Sequence, residues 1–151
     1  MAVHKSILDL IGNTPVVDVS KLSPNPDVKI YAKLENQNPA GSVKDRIAKS
    51  MVLQAEKQGL LKPGSTLIEP SSGNTGIALA MIASMRNYQL KIVLPQNVSI
   101  ERKQLLEVWG AETIPSPGEL GSNGAVKLAQ ELAIQTVSYT HLRAHETEAY
   151  L

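Results

Sequence analysis

Apolar positions follow two different periods along the chain. Between Val28 and Leu34 every second residue is apolar, which predicts a strand with one buried face. Further along, the spacing becomes helical, and this helix is predicted to end at about Gly59. The residues that set the helical period are Val43, Ile47, Ala48, Met51, Val52 and Ala55. Closer to the N-terminus, residues 1–12 predict a short helix and residues 16–19 a short strand.

From residue 62 onward, short strands and helices alternate. The predicted strands cover 66–69, 90–94 and 112–114, and the predicted helices lie at 77–83, 100–109 and 122–133. The helix at 77–83 is apolar on all sides, which indicates that it is buried. This order predicts an α/β fold in which helices flank a parallel sheet, and ligands of such sheets bind outside the carboxyl ends of the strands.

The composition narrows the class of protein. The 151 residues suffice for one domain, and a hydrophobic fraction of 42% with no Phe implies an aliphatic core. A net charge of +1 gives no reason to expect nucleic acid or a membrane surface as a partner. The chain has no Cys, so it has no disulfide and no thiolate for a metal or for catalysis. Because there is no apolar run of spanning length and no signal-peptide pattern, we expect a cytoplasmic protein.

One lysine, Lys44, stands just inside the predicted start of the helix that ends near Gly59. Ser42 is a favourable N-cap, and Asp45 is placed to reach back as in a capping box. The positive end of the helix dipole disfavours an ammonium there, which favours the neutral amine that forms a Schiff base. The alternative interpretation is an ordinary surface lysine.

The loop Ser71–Gly76 joins a predicted strand to the buried helix. It carries three hydroxyls, one carboxamide and free backbone N–H groups at a helix start, which together can cradle a carboxylate or a phosphate. Its glycines let the backbone approach a ligand closely. The alternative interpretation is a polar cap on a buried helix.

Three further features of the sequence are not interpreted as ligand sites. His141 and His145 have a spacing that occurs in metal sites, but the set of ligands is incomplete and no metal is predicted. The charged run 101–103 is interpreted as a solvated helix face. Residues from about Thr136 onward break the preceding pattern and resemble a translated sequencing adapter, so 136–151 is predicted to be a non-native tail.

Taken together, the motifs resemble those of the cysteine synthases (O-acetylserine sulfhydrylases), which are fold type II pyridoxal-phosphate enzymes. The matching runs are Ile11–Pro15, Lys33–Glu35, Asn38–Arg46, Glu69–Gly76, Ser99–Arg102 and Gly110–Glu112, and the resemblance covers about residues 3–134. It implies a three-layer α/β/α fold that is tryptophan-synthase-β-like and truncated. In this fold residues 1–37 would join a second domain, and residues 38–135 would form the α/β domain that carries the catalytic lysine.

The resemblance also implies roles for individual residues. Lys44 would form the Schiff base with pyridoxal 5'-phosphate and shuttle the proton during elimination. Asn74 would bind the ring hydroxyl of the cofactor and, together with Ser71, Ser72 and Thr75, the carboxylate of the substrate. The implied reaction replaces the acetate of O-acetylserine with sulfide to give cysteine. The implied partners are a second subunit in a homodimer and serine acetyltransferase.

Several parts of the family's site have no counterpart in this chain. They are a Gly/Thr-rich loop for the cofactor phosphate, a serine that faces the pyridine nitrogen and a glutamine at the carboxylate site. We therefore expect the chain to be poorly active by itself, and residues 13–34 to expose an edge and an apolar face. Cystathionine β-synthase or a related β-replacement enzyme is the alternative activity, while the loop sequence disfavours a serine/threonine dehydratase. A non-catalytic interaction module is the alternative from another class.

Overall fold

The computed structural model describes residues 3–135 and 139–141, which contain six strands. The strands are Val16–Asp18 (β1), Tyr31–Lys33 (β2), Thr66–Pro70 (β3), Gln89–Pro95 (β4), Glu112–Ser116 (β5) and Tyr139–His141 (β6). Strands β3 to β6 form one sheet in the order β5-β4-β3-β6, and every neighbouring pair in it is parallel. Strands β1 and β2 form a separate antiparallel pair.

Helices cover both faces of the parallel sheet. The α-helices in the described part are Lys44–Lys57 (α1), Asn74–Met85 (α2), Ile100–Val108 (α3) and Gly121–Gln135 (α4). Helices α1, α2 and α3 share one apolar core with Leu67 and Ile92, whereas α4 packs on the opposite face over Ile68 and Val93. Neighbouring strand residues thus point to opposite faces, as the period of a strand requires. The predicted α/β fold with a parallel sheet flanked by helices is confirmed.

Helix α2 lies at the centre of the larger core. The residues from Ala78 to Ala83 are each at most 1% exposed, so the prediction of a buried helix is confirmed. The small alanines of this helix allow α1 and the sheet to approach closely from two sides. The predicted loop Ser71–Gly76 is irregular only over residues 71–73, and Asn74 to Gly76 form the first turn of α2, which begins three residues earlier than expected. Because this segment joins β3 to the buried helix, the core holds it at the carboxyl edge of the sheet.

Two expectations for the N-terminal region are wrong in detail. Of the helix expected over residues 1–12, the described residues 3–12 form one turn of 3-10 helix at Ile7–Leu10, which Ser6 and Asp9 cap reciprocally. The strand expected over residues 28–34 is only Tyr31–Lys33, and Ile30 in the alternating pattern is 38% exposed. The pattern predicted a buried face, but the pair β1–β2 lies outside the core formed by α1 to α4.

The end of the chain is described only in part. Strand β6 falls within residues 136–151 and pairs in parallel with β3, from Thr66 to Ile68. His145, one of the two histidines considered as metal ligands, lies outside the described residues. The interpretation of 136–151 as a non-native tail stays a prediction.

Candidate active site

Lys44 is the first residue of α1, and its side chain is half-buried. Its backbone N–H donates to Oγ of Ser42 over 3.1 Å, so Ser42 satisfies a free N–H of the helix start. The N-cap position itself is Val43 and not Ser42 as expected, because the helix begins one residue later. Asp45 also reaches back, but to the backbone N–H of Ala40, which donates to Oδ2 over 2.6 Å. Within residues 3–135 and 139–141 the Lys44 amine has no hydrogen-bond or ion-pair partner, and it is therefore available to a ligand.

The carboxylate of Glu35 holds both ends of the segment Asn38–Arg46, which contains Lys44. Oε2 of Glu35 accepts from Nδ2 of Asn38 over 2.9 Å and from Nε of Arg46 over 2.8 Å. Oε1 accepts from Nη2 of Arg46 over 2.9 Å and from Oγ1 of Thr14 over 2.6 Å. The hydrogen bonds from Arg46, followed by that from Thr14, lower the pKa of Glu35 to about 2. The carboxylate is therefore ionised at neutral pH.

Gly12 completes this cluster from the N-terminal side. Its backbone N–H donates to Oδ1 of Asn38 over 2.9 Å, and its φ of +96° favours glycine. A Cβ at this position would also lie 3.1 Å from Nη1 of Arg46. Three of the motif runs, those around Gly12, Glu35 and Lys44, therefore meet in one place. Sequence reasoning matched these runs but assigned no role to Glu35 or Arg46.

The loop Ser71–Gly76 is closed by the first of its hydroxyls. Oγ of Ser71 accepts from the backbone N–H of Gly76 over 2.9 Å. A Cβ on Gly76, in the first turn of α2, would lie 3.2 Å from both Cβ and Oγ of Ser71, so a larger residue there would have to displace Ser71. The side chains of Ser72, Asn74 and Thr75 have no such partner in the described ranges and remain free for a ligand. Ser71 thus shapes the loop in addition to any ligand contact that the resemblance implies.

Helix α3 anchors this loop from outside. Nη1 of Arg102 donates to the backbone carbonyl of Ser72 over 3.1 Å, and Nζ of Lys103 donates to the carbonyl of Gln96 over 3.2 Å. The exposure of Glu101 and Arg102 agrees with the interpretation of 101–103 as a solvated helix face, and Arg102 and Lys103 in addition donate to neighbouring backbone carbonyls. Long cationic side chains can span from an exposed helix to a neighbouring backbone, which the charge pattern alone does not reveal.

The packing of α1 on α2 brings the lysine and the loop to one end of the molecule. Glu56 follows Lys44 by twelve residues, Arg86 follows Asn74 by twelve, and their side chains form an ion pair of 2.7 Å. At a rise of about 1.5 Å per residue, each helix start lies about 18 Å from that pair along its own axis. Since α1 and α2 also share a core, Lys44 and Asn74 lie at the same end of the helix pair.

Glu69 is a half-buried residue that Pro70 separates from the loop. It is the penultimate residue of β3 and pairs with Ile92, which is fully buried. Its Oε2 is buried without a hydrogen-bond partner among the described residues, and burial raises the pKa of Glu69 to about 8. Sequence reasoning missed this group, although a Glu that continues a buried strand is a visible signal.

Comparison with known proteins places this chain in a family. The profile of the pyridoxal-phosphate-dependent enzymes matches residues 7–150, and the chain belongs to that family. Within the family, it is 50% identical to a cysteine synthase of Flavobacterium sp. over 132 residues, which are 87% of this chain and 43% of that protein. The family resemblance that the motifs indicated is thereby confirmed.

Related activities occur among the similar proteins. O-ureido-L-serine synthase of Streptomyces lavendulae is 48% identical over 133 residues, covering 88% of this chain and 41% of that protein. The crystal structure of an O-acetylserine-dependent cystathionine β-synthase from Helicobacter pylori matches with a TM-score of 0.86 at 38% identity, covering 93% of this chain and 47% of that one. The chain thus spans less than half the length of these relatives.

None of its described helices is long and apolar enough to cross a membrane.

Proposed function

We propose that this chain carries the cofactor lysine and the substrate-carboxylate loop of a cysteine synthase. The reaction replaces the acetate group of O-acetylserine with sulfide and gives cysteine and acetate. The observation that carries the proposal is that the half-buried Lys44 lies at the same end of α1 and α2 as Ser72, Asn74 and Thr75, and that these side chains have no partner among the described residues. The identity of 50% to a cysteine synthase supports it.

The donor groups at this end fit pyridoxal phosphate. Lys44 offers an amine for covalent attachment, and Asn74 offers a carboxamide for the ring hydroxyl of the cofactor; neither is engaged by another described side chain. When bound, the cofactor supplies an electron sink for the α-carbon of an amino acid. Lys44 would take up and return the proton of that carbon as general base and acid.

The loop Ser71–Gly76 would bind the carboxylate of the amino-acid substrate. Ser72, Asn74 and Thr75 present free donors where the backbone N–H groups and the dipole of α2 favour an anion. Because Oγ of Ser71 already accepts from the backbone N–H groups of Gly76 over 2.9 Å and of Gly73 over 3.4 Å, both of its lone pairs are used and Ser71 would contribute its hydroxyl proton.

The direct test adds pyridoxal phosphate to the purified chain and records the visible absorbance of the lysine-bound cofactor. We expect absorbance that Lys44→Ala abolishes, and that Lys57→Ala at the other end of α1 preserves. We expect little cysteine from O-acetylserine and sulfide, since the phosphate loop that the resemblance implies has no counterpart in this chain. Absorbance that survives in Lys44→Ala would refute the assignment of the lysine, and rapid cysteine formation would refute the expected poor activity.

A related β-replacement is the second candidate. The similarity to an O-ureido-L-serine synthase and to an O-acetylserine-dependent cystathionine β-synthase favours it. Analysis of the products formed from O-acetylserine by a full-length version of the protein would separate cysteine, cystathionine and O-ureidoserine. Cysteine as the main product supports the first proposal, and either of the others replaces it.

The proposal extends to regions outside the site. Residues 1–37 would join a second domain, which agrees with the exposure of Val16 and Tyr31 at 57% and 64%. A homodimer and binding to serine acetyltransferase rest on the resemblance alone, and a cytoplasmic location rests on the sequence pattern. Resequencing across the codon of Thr136 tests the non-native tail, because the natural reading frame would continue differently from that point.

A further inference from the structure

We propose that Glu35 is a positioning residue whose carboxylate acts as a clasp on the segment Asn38–Arg46 and so sets the location of the Lys44 amine. The inference rests on the proposed function in one respect, namely that the amine of Lys44 carries the chemistry. The contacts that support it do not depend on the identity of the substrate.

The clasp works because one carboxylate reaches both ends of the segment. Its Oε2 accepts from Asn38 at the beginning, over 2.9 Å, and from Arg46 just beyond Lys44, over 2.8 Å. A second bond from Arg46, of 2.9 Å to Oε1, makes the pair bidentate and fixes its orientation. Lys44 therefore lies between two points that a single side chain holds together.

The segment between these two points is also closed from inside. The backbone N–H of Gly41 donates to the carbonyl of Asn38 over 2.8 Å, and that of Ala40 donates to the buried Asp45 over 2.6 Å. Such internal bonds shape the turn but do not fix it relative to the rest of the protein. Three contacts do so. Glu35 accepts from Oγ1 of Thr14 over 2.6 Å, the backbone N–H of Gly12 donates to Oδ1 of Asn38 over 2.9 Å, and Nη2 of Arg46 donates to Oγ1 of Thr14 over 3.1 Å. Among these groups, Glu35 is the one that contacts both Asn38 and Arg46.

A second ion pair on the same helix provides a matched control. Arg46 and Glu35 are 2.8 Å apart with side chains 37% and 21% exposed, whereas Arg86 and Glu56 are 2.7 Å apart with side chains 38% and 24% exposed. The first pair involves the residue two positions after Lys44, and the second lies at the far end of α1. A merely structural role predicts similar effects of the two pairs on Lys44, whereas a clasp predicts an effect of the first pair alone.

The experiment measures the reactivity of Lys44 without any cofactor. Each protein is methylated with formaldehyde and a borohydride, and the rate at Lys44 is compared by peptide mass spectrometry with the rate at the exposed Lys127 of α4. In Glu35→Gln the ratio of the methylation rate at Lys44 to that at Lys127 is expected to rise about tenfold. The reason is that the loss of hydrogen bonds to a charged group raises the population of arrangements in which the segment is released by about that factor. In Glu56→Gln the ratio is expected to stay at the wild-type value, even if the melting temperature falls equally.

Other results overturn the proposal. An unchanged ratio in folded Glu35→Gln, or an equal rise in Glu56→Gln, shows that Glu35 does not position Lys44. If Glu35→Gln does not fold, Arg46→Lys takes its place, because it keeps the charge but loses the bidentate geometry. A wild-type ratio in that variant is equally decisive against the clasp. Failure of the proposed function is seen separately, as a wild-type chain that gains no visible absorbance with pyridoxal phosphate.

Discussion

The wild-type chain is expected to lose stability as the pH rises from about 5 to about 8, because of Glu69. Replacing Glu69 with Gln is expected to remove this loss. Glu69 lies near the end of β3 with Oε2 buried and unpartnered among the described residues, and burial raises its pKa to about 8 from an ordinary 4.5. Between these two values the folded chain holds a proton that the unfolded chain releases. Stability is therefore highest below the ordinary pKa and falls as the pH rises towards the folded one.

The size of the effect follows from the shift. Each unit of pKa difference corresponds to about 1.4 kcal/mol, so the shift sets an upper limit of about 5 kcal/mol on the loss by alkaline pH. Water that enters to reach the carboxylate would lower this figure. Gln has nearly the same shape and no charge, so the variant is expected to match the wild type near pH 5 and to exceed its stability by about 2–5 kcal/mol above pH 8.

Urea unfolding followed by circular dichroism at several pH values measures the effect. The difference between wild type and Glu69→Gln cancels every other group that titrates, including Asp45, whose pKa burial also raises. Glu107→Gln, at an exposed position of α3, is the control and is expected to leave the pH profile unchanged. Parallel profiles for wild type and Glu69→Gln would refute the reasoning, because they would show that Glu69 is not buried in its neutral form.

Three further predictions concern the loop and the clasp. Gly76→Ala places a Cβ 3.2 Å from Cβ and Oγ of Ser71 and is expected to cost about 1–3 kcal/mol in urea unfolding; an unchanged or raised stability would show that Ser71 can move aside and would contradict the packing. Arg102→Ala is expected to speed amide hydrogen exchange at Ser72 and Gly73, whereas Lys103→Ala, which loses a bond to Gln96 instead, is not; equal exchange in both contradicts the anchor. Because the pKa of Glu35 is lowered to about 2, its contribution to stability is complete above its ordinary pKa and disappears as the pH falls towards 2. Acid titration of the wild type should therefore show a loss of stability that Glu35→Gln lacks. Identical stability profiles of the two proteins at acid pH would speak against the ion pair.

The periodic part of the fold could be predicted from the sequence. Strand β4 and helix α2 have runs of buried residues whose lengths and flanking turns identify them locally, and their order determines the parallel sheet. The pattern failed at residues 28–34, because alternation reports which side chains share a face and not whether another element covers that face.

The side-chain contacts that form the candidate site could not be predicted from the local sequence pattern. Glu35 and Arg46 are eleven residues apart with a turn between them, and Arg102 and Ser72 are thirty apart on different elements. Such pairs depend on tertiary packing and leave no period in the chain. The motif runs did mark the right segments, since Glu35, Arg46 and Arg102 all fall within them, but the residues' roles required the geometry.

The most direct test of the central claim is the location of covalently bound cofactor. The chain is incubated with pyridoxal phosphate, reduced with borohydride and digested, and the modified lysine is identified by mass spectrometry. The account predicts that the modification is concentrated on Lys44, which is half-buried and has no partner among the described side chains. Modification spread over exposed lysines such as Lys57 and Lys62, with no preference for Lys44, would contradict it.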